Sequence, residues 1–292
     1  MHAVTSGQAP EQAHETVSHK IAFIGGGNMA QALIGGLLAQ QFKAADITVS
    51  EPVEALHDTL RELGVKVTTD NQQAVHDARV VVLAVKPQVM ALVLEPLRDQ
   101  FKNQLIISIA AGVTISTLSR LLGNYPRIVR AMPNTPALIQ TGASGLYATA
   151  AVETADRALA TTVLQAAGLV LWVEQEQQLD AVTAVSGSGP AYFFYLMEAM
   201  IQAGQDMGLT EAQSKALTLQ TALGAAKMAV NSPHSPAQLR KNVTSPNGTT
   251  QAAIEAMDAT QVNVHIQQAL QAAATRSAEL AIALEHSSAT VK

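Results

Sequence analysis

A chain of 292 residues, 48% hydrophobic and 14% charged, has the material for two packed cores and is not a disordered polymer. A formal charge of −5, from 18 basic and 23 acidic residues, excludes broad electrostatic attraction to nucleic acid or an anionic membrane. The absence of cysteine excludes disulfides, thiolate chemistry and Cys-held metals, and is compatible with a reducing cytoplasm.

Residues 1–19 are polar, carry Glu11, Glu15 and three histidines, and lack an apolar centre, so a flexible leader is expected rather than a signal peptide. From Lys20 to about Glu174, short Val/Ile-rich runs alternate with helical patterns, as βα units of a mostly parallel sheet do. The expected strands are Ile21 to Gly25, Ile47 to Ser50, Val65 to Thr68, Val80 to Ala84, Leu105 to Ser108 and Ile128 to Ala131. The stretches Met29 to Gln40, Pro52 to Leu63, Pro87 to Asp99 and Ile115 to Leu122 predict helices. A helix around Thr154 to Ala167 leads to a last strand, Leu169 to Val173.

Beyond Leu179 only helical patterns remain, broken at Ser186 to Pro190, Gly208, Ser232 to Pro236 and Val243 to Thr250. The apolar run Ala191 to Ile201 contains Glu198 and falls short of the roughly 20 residues of a membrane span, so a core helix is expected. Ala222, Gly224, Ala225 and Ala229 permit close helix contact, within the chain or between subunits. The expected division is a leader over 1–19, an α/β dinucleotide-binding half over 20–176 and an all-α half over 177–292.

Gly25-x-Gly27 follows an apolar strand and opens a helix, with Ala30 as the third small residue of a dinucleotide turn. Gly25 makes the tight turn, Gly27 admits a pyrophosphate, and Asn28 and Met29 supply N–H groups at the helix start. Ser50-Glu51 ends the second strand about twenty residues on, where a side chain reaches the adenosine ribose. Glu51 there either hydrogen-bonds a ribose diol and repels a 2′-phosphate or is a simple exposed loop carboxylate, and Arg61 and Lys66 are poorly placed to clamp a phosphate, so the choice between NADH and NADPH stays open. The strand Val80 to Ala84 delivers Val85-Lys86-Pro87 to the carboxyl edge of the sheet.

Val243-Thr244-Ser245-Pro246-Asn247-Gly248-Thr249-Thr250 is a run of small, hydroxyl-bearing residues between two helical patterns. Free backbone N–H groups, hydroxyls and the positive end of a helix dipole meet there, a site for a small carboxylate, although such residues also serve as ordinary caps. Ser186-Gly187-Ser188-Gly189-Pro190 has no Asp/His set around it and is read as a structural hinge. The eight histidines lack metal-ligand spacing, so no metal is expected.

Gly25-Gly26-Gly27-Asn28-Met29-Ala30, Ala84-Val85-Lys86-Pro87-Gln88, and the long run from Pro236-Ala237-Gln238-Leu239 through Val243 to Thr250, Ala253-Ile254 and Met257-Asp258 together resemble the pyrroline-5-carboxylate reductase family. The likeness extends from about Lys20 to the last helix. It implies a Rossmann-like NAD(P)-binding domain followed by an all-α dimerisation and substrate domain, interlocked with a second copy in a homodimer or higher oligomer. The implied reaction is reduction of 1-pyrroline-5-carboxylate to L-proline with NADPH or NADH. Carried over by position, the cofactor set is Ile24, Gly25, Gly27, Asn28, Met29, Ser50, Glu51, Asn71, Ala84, Val85, Lys86, Pro87 and Asn242, with Arg130 to Pro136 facing the nicotinamide. Ser245, Gly248, Thr249 and Thr250 would anchor the substrate, with Thr250 and Ser245 as the catalytic pair.

Two positions depart from the family pattern. Asn247 stands where a glycine is common, and Pro233 where some relatives carry an acidic residue. Two competing functions stay open. A β-hydroxyacid dehydrogenase has a similar plan, but Lys215 and Lys227 lie outside any Gly-rich substrate motif. A dinucleotide sensor without turnover would not need the Ser245 to Thr250 loop.

Overall fold

The computed structural model describes residues 19–290, with side chains through residue 285, so apart from His19 the expected leader lies outside the described residues. In chain order the first half runs β1 (Ile21–Ile24), α1 (Asn28–Ala39), β2 (Ile47–Ser50), α2 (His57–Glu62), β3 (Lys66–Thr68), α3 (Asn71–Val75) and β4 (Val80–Leu83). It continues with α4 (Met90–Leu94), β5 (Leu105–Ser108), α5 (Ile115–Leu121), β6 (Ile128–Met132), β7 (Gly142–Ala148), α6 (Thr154–Gln165) and β8 (Gly168–Trp172). Among the described residues these strands form one sheet in the order β3-β2-β1-β4-β5-β6-β7-β8. Every neighbouring pair is parallel except β6 with β7.

The order reverses between β1 and β4, which opens a crevice at the carboxyl ends of the two strands. Both strands are buried along their whole length, as continuous apolar runs in a sheet covered on both faces should be. Successive side chains alternate between the two layers. Ile21 and Phe23 join Leu33, Leu37, Val82 and Ile107 on one face, while Ala22 and Ile24 join Val81, Leu83, Leu94 and Leu118 on the other. Each large aliphatic or aromatic side chain so buried contributes about 1.5–3 kcal/mol.

Helix α1 lies so close to the α6–β8 turn that a Cβ on Gly36 would stand 1.9 Å from the Ala166 carbonyl oxygen. Backbone cannot yield as a flexible side chain does. Gly36→Ala is therefore expected to destabilise the fold by about 1–3 kcal/mol, read as a lower urea midpoint; an unchanged midpoint would mean that α1 shifts freely on the sheet. At the start of α6, buried Asp156 receives both Arg79 and Arg127, the latter also through Nε at 3.0 Å.

Two features of the first half differ from the sequence expectation. Pro87 to Asp99 is not one helix but a 3₁₀ turn (Pro87–Val89), α4, and a second 3₁₀ turn (Glu95–Leu97). Pro96 lacks an N–H and its ring crowds the preceding turn, so the α-helical ladder ends at Leu94. Strand β7 was not expected at all. It runs antiparallel to β6, pairing Arg130 with Tyr147 and Met132 with Gly145.

The second half comprises α7 (Gln178–Val182), a π turn (Thr183–Gly187), α8 (Gly189–Asp206), α9 (Glu211–Asn231), α10 (Pro236–Asn242), α11 (Thr249–Ala259) and α12 (Val262–Thr290). Thr210 and Gln213 form a reciprocal capping box at the start of α9. Helices α8 and α9 pack together, α11 packs on α12, and α12 packs on α7 and the π turn. Ser277 Oγ of α12 donates to Asp180 Oδ1 at 2.7 Å, and Leu284 covers Gly112, whose φ of +76° favours glycine and where a Cβ would stand 3.1 Å from Leu284 Cδ1. The Ala191 to Ile201 run is not the core helix expected: Phe193, Phe194, Leu196 and Met200 on α8, with Leu217, Leu223 and Met228 on α9, remain exposed, because among the described residues α8 packs chiefly against α9 and the π turn. Among the described residues no helix is long and apolar enough to cross a membrane.

Candidate active site

The glycine turn sits at the crevice where the strand order reverses. Gly25 donates its N–H to Ser50 O at 2.8 Å, and Ala84 donates to Ile24 O at 2.9 Å, so the ends of β1, β2 and β4 are tied side by side. Gly25 has φ +98°, and a Cβ there would lie 2.8 Å from Ala84 O. Only glycine fits this turn. Gly27 is different, because a Cβ there would meet nothing within 4 Å. It faces open space and caps α1 without a side-chain partner, and the first intrahelical bond is Gln31 N to Gly27 O at 3.0 Å. The N–H groups of Asn28, Met29 and Ala30 are therefore free at a helix start with no acidic residue in its first turn. Such an N-terminus receives a pyrophosphate through N–H groups and dipole together.

Ser50 and Glu51 are both buried at the end of β2. Ser50 Oγ donates to Asn71 Oδ1 at 2.7 Å, which joins β2 to the start of α3, itself capped by Asp70. The Glu51 carboxylate turns back under the glycine turn, accepting Gly26 N–H at 2.7 Å and Val53 N–H at 2.9 Å. After β4, Ala84 and Val85 are half-buried while Lys86 is exposed, with Pro87 fixing the turn behind it. The Lys86 ammonium makes no hydrogen bond or ion pair among the described residues.

On the other side of the crevice, β6 ends in Met132-Pro133-Asn134. Buried Arg130 donates to Glu176 Oε1 at 3.1 Å, and the same oxygen accepts Ile115 N–H at 2.8 Å. Asn134 Nδ2 donates to Ser186 O at 3.1 Å and to its Oγ at 3.2 Å, while its Oδ1 accepts Ala143 N–H at 2.8 Å. Ser186 thus lies in the π turn as a tie between sheet and helices. The sequence suggests a strand-edge loop over Arg130 to Pro136, but Arg130 to Met132 belong to β6 and the loop begins at Pro133; this role of Asn134 was not foreseen, nor was Glu176, for which the sequence offers no signal beyond one acid in a turn.

The Val243 to Thr250 loop lies in the helical half. Asn242, the last residue of α10, accepts Gln238 Nε2 at 2.8 Å. Thr244 Oγ1 donates to Arg240 O, Gly248 N to Ser245 O, and Asn247 N to Gln251 Oε1. Asn247 adopts the left-handed conformation at φ +56°, which asparagine tolerates in place of the family's glycine. Gly248 caps α11 with no side chain, and no acid stands in the first turn, so the N–H groups of Thr249, Thr250 and Gln251 are free. The hydroxyls of Ser245, Thr249 and Thr250 make no hydrogen bond among the described residues. No described hydrogen bond joins this loop to the glycine turn. The positions from Ile24 to Pro87 that the sequence suggests for a cofactor are gathered at one edge, and Ser245 to Thr250 form a second, separate cluster that also borders Asn242.

A free helix N-terminus behind a strained glycine, at the switch point of a doubly wound sheet followed by a helical half, defines the class of nicotinamide-dinucleotide oxidoreductases with two structural units. Residues 176–280 match the model for pyrroline-5-carboxylate reductase dimerisation, and residues 20–112 match that for NADP oxidoreductase, coenzyme F420-dependent. The pyrroline-5-carboxylate reductase of Pseudomonas aeruginosa is 54% identical over 264 residues, covering 90% of this chain and 97% of the relative. The structure of a pyrroline-5-carboxylate reductase from Coxiella burnetii superposes with a TM-score of 0.87 at 43% identity, over 90% of this chain and 98% of that one. A Plasmodium falciparum pyrroline carboxylate reductase with NADP bound gives 0.81 at 28% identity, over 90% and 98%. The chain belongs to the pyrroline-5-carboxylate reductase family.

Proposed function

We propose that the protein reduces 1-pyrroline-5-carboxylate to L-proline with a hydride from NADPH or NADH, the last step of proline biosynthesis. The observation that carries this reading is the pairing of two free helix N-termini, α1 behind Gly27 for the pyrophosphate and α11 behind Gly248 for the substrate carboxylate. The reduced nicotinamide supplies the hydride and leaves oxidised. The carbon of the N-protonated imine accepts it, the C=N electron pair moves onto nitrogen, and the proton already on that nitrogen stays as the N–H of the product amine.

The chain's own residues bind and orient. Gly25, Gly27, Asn28 and Met29 hold the pyrophosphate, Ser50, Glu51 and Asn71 the adenosine end, and Ile24 with Ala84 to Pro87 the wall between. Asn242 reaches the nicotinamide end. Ser245, Gly248, Thr249 and Thr250 grip the carboxylate through N–H and hydroxyl groups, and the Thr250 and Ser245 hydroxyls hydrogen-bond the ring nitrogen. A threonine hydroxyl is a weak acid at neutral pH, so its role is to orient the nitrogen and its proton, and catalysis is largely alignment plus electrostatics.

Residues 20–176 form the cofactor unit and 177–292 the helical unit in this reading. The partner is a second copy of the chain, covering the exposed apolar faces of α8 and α9 in a homodimer or larger ring of dimers, and nucleic acid is not a partner. The workplace is the cytoplasm, where a chain without cysteine has nothing to lose to reduction.

Purified protein mixed with pyrroline-5-carboxylate and NADH or NADPH should consume the reduced-nicotinamide absorbance and accumulate proline. A folded protein that binds dinucleotide yet gives no turnover with either would overturn the assignment. Thr250→Ala is expected to lower kcat roughly 10- to 100-fold with little change in dinucleotide affinity; unchanged turnover would remove Thr250 from the mechanism.

A further inference from the structure

The geometry points to Glu51 as the residue that selects the dinucleotide, favouring NADH over NADPH. This rests on the reading above that the crevice between β1 and β4 holds a reduced dinucleotide. Glu51 follows the last residue of β2, and its carboxylate is pinned from two sides, by Gly26 N–H at 2.7 Å and Val53 N–H at 2.9 Å. Its backbone is fixed as well. Glu51 N donates to Thr68 O at 2.9 Å, and Glu51 O lies 2.7 Å from Nε2 of buried His57. The residue is 6% exposed, so its carboxylate is held by packing as well as by these hydrogen bonds.

Each carboxylate oxygen has spent one lone pair on a backbone N–H and retains another. That remaining capacity suits the two hydroxyls of an adenosine ribose, which donate. A 2′-phosphate offers no donor in its ionised form and brings about two negative charges against a fixed one. The nearby groups do not relieve this. Glu54 follows on the same turn, Asp58 already holds Arg61 at 3.1 Å on exposed α2, and Asp70 caps α3. Lys66 pairs in register with Thr48, two residues back from the carboxyl end, and lines a cavity with Lys20 and Asp77 toward the opposite edge of the sheet. The phosphate of NADPH therefore meets a carboxylate where enzymes that prefer it place an arginine.

The test is a fluorescence titration of the full-length protein with NADH and with NADPH, without substrate, so that it does not depend on turnover. NADH should bind at least about tenfold more tightly. The same preference should appear when ADP-ribose and its 2′-phosphate compete for the site, which locates the discrimination at the ribose. Glu51→Gln keeps the length and one acceptor oxygen while removing the charge, and should reduce the preference by about fivefold or more. Equal or tighter binding of NADPH by the unaltered protein would overturn the inference while leaving the reductase reading intact, as would an unmoved ratio in a folded Gln variant. Failure to bind either dinucleotide would overturn both. Should the Gln variant not fold, the ratio in the unaltered protein and the two ADP-ribose competitors decide the matter.

Discussion

Gly25→Val is expected to weaken dinucleotide binding by about 100-fold or more, with loss of turnover to match. The substitution meets two obstacles. At φ +98° the backbone is one that a β-branched residue avoids, and the first side-chain carbon would stand 2.8 Å from Ala84 O and 3.1 Å from Val85 Cγ1. The strain, of order 1–3 kcal/mol, is relieved by opening the turn, and the turn is what aims the first N–H groups of α1 at the pyrophosphate. Titration of nicotinamide fluorescence measures the effect directly. Affinity within threefold of the unaltered protein would show that the turn does not form the cofactor site. Gly27→Ala is the informative contrast, because its Cβ enters open space and obstructs only the ligand.

Asp156→Ala should be the most damaging single change to stability, at about 3–5 kcal/mol. The carboxylate is 1% exposed and receives two guanidinium groups, from Arg79 before β4 and Arg127 before β6. Removing it leaves two like charges facing each other beside the core with no counter-ion, which costs more than the pair itself contributes. Urea denaturation gives the loss as a shift of midpoint. The double variant Asp156→Ala with Arg127→Ala should recover part of it, since one of the stranded charges is gone; no recovery would mean that the damage comes from packing.

Much of this fold was legible because parallel strands buried on both faces write themselves as apolar runs. Val80-Val81-Val82-Leu83 is the clearest case, and it also delivers Lys86 to the edge. The glycine turn was legible for a steric reason, since only Gly25 can occupy its position. Strand β7 was hidden by the opposite use of the same residue. Gly142 and Gly145 carry little strand propensity, yet they are strand residues where neighbours press in. A Cβ on Gly142 would lie 2.8 Å from Ala167 O, and one on Gly145 2.7 Å from Val182. The Val243 to Thr250 loop was found by composition and motif, but the sequence did not reveal that its hydrogen bonds close upon themselves. Nor could it show that the Glu51 carboxylate turns beneath Gly26, because the direction of a side chain is a tertiary property.

The long helix α12 gives the molecule a lever. Ser277, bonded to Asp180 of α7, anchors it at the start of the helical half, while its first residue, Val262, follows α11 after a short link through Thr260 and Gln261, and the other end of α11 carries Thr249 and Thr250. At 1.5 Å per residue the arm from Ser277 to Val262 is about 22 Å long. A tilt of about three degrees about the Asp180 bond would carry its tip through about 1 Å, a displacement large enough to spoil a hydride transfer that depends on near-attack alignment. Where α11 begins thus depends on how α12 is seated, in part by a serine and an aspartate on other helices.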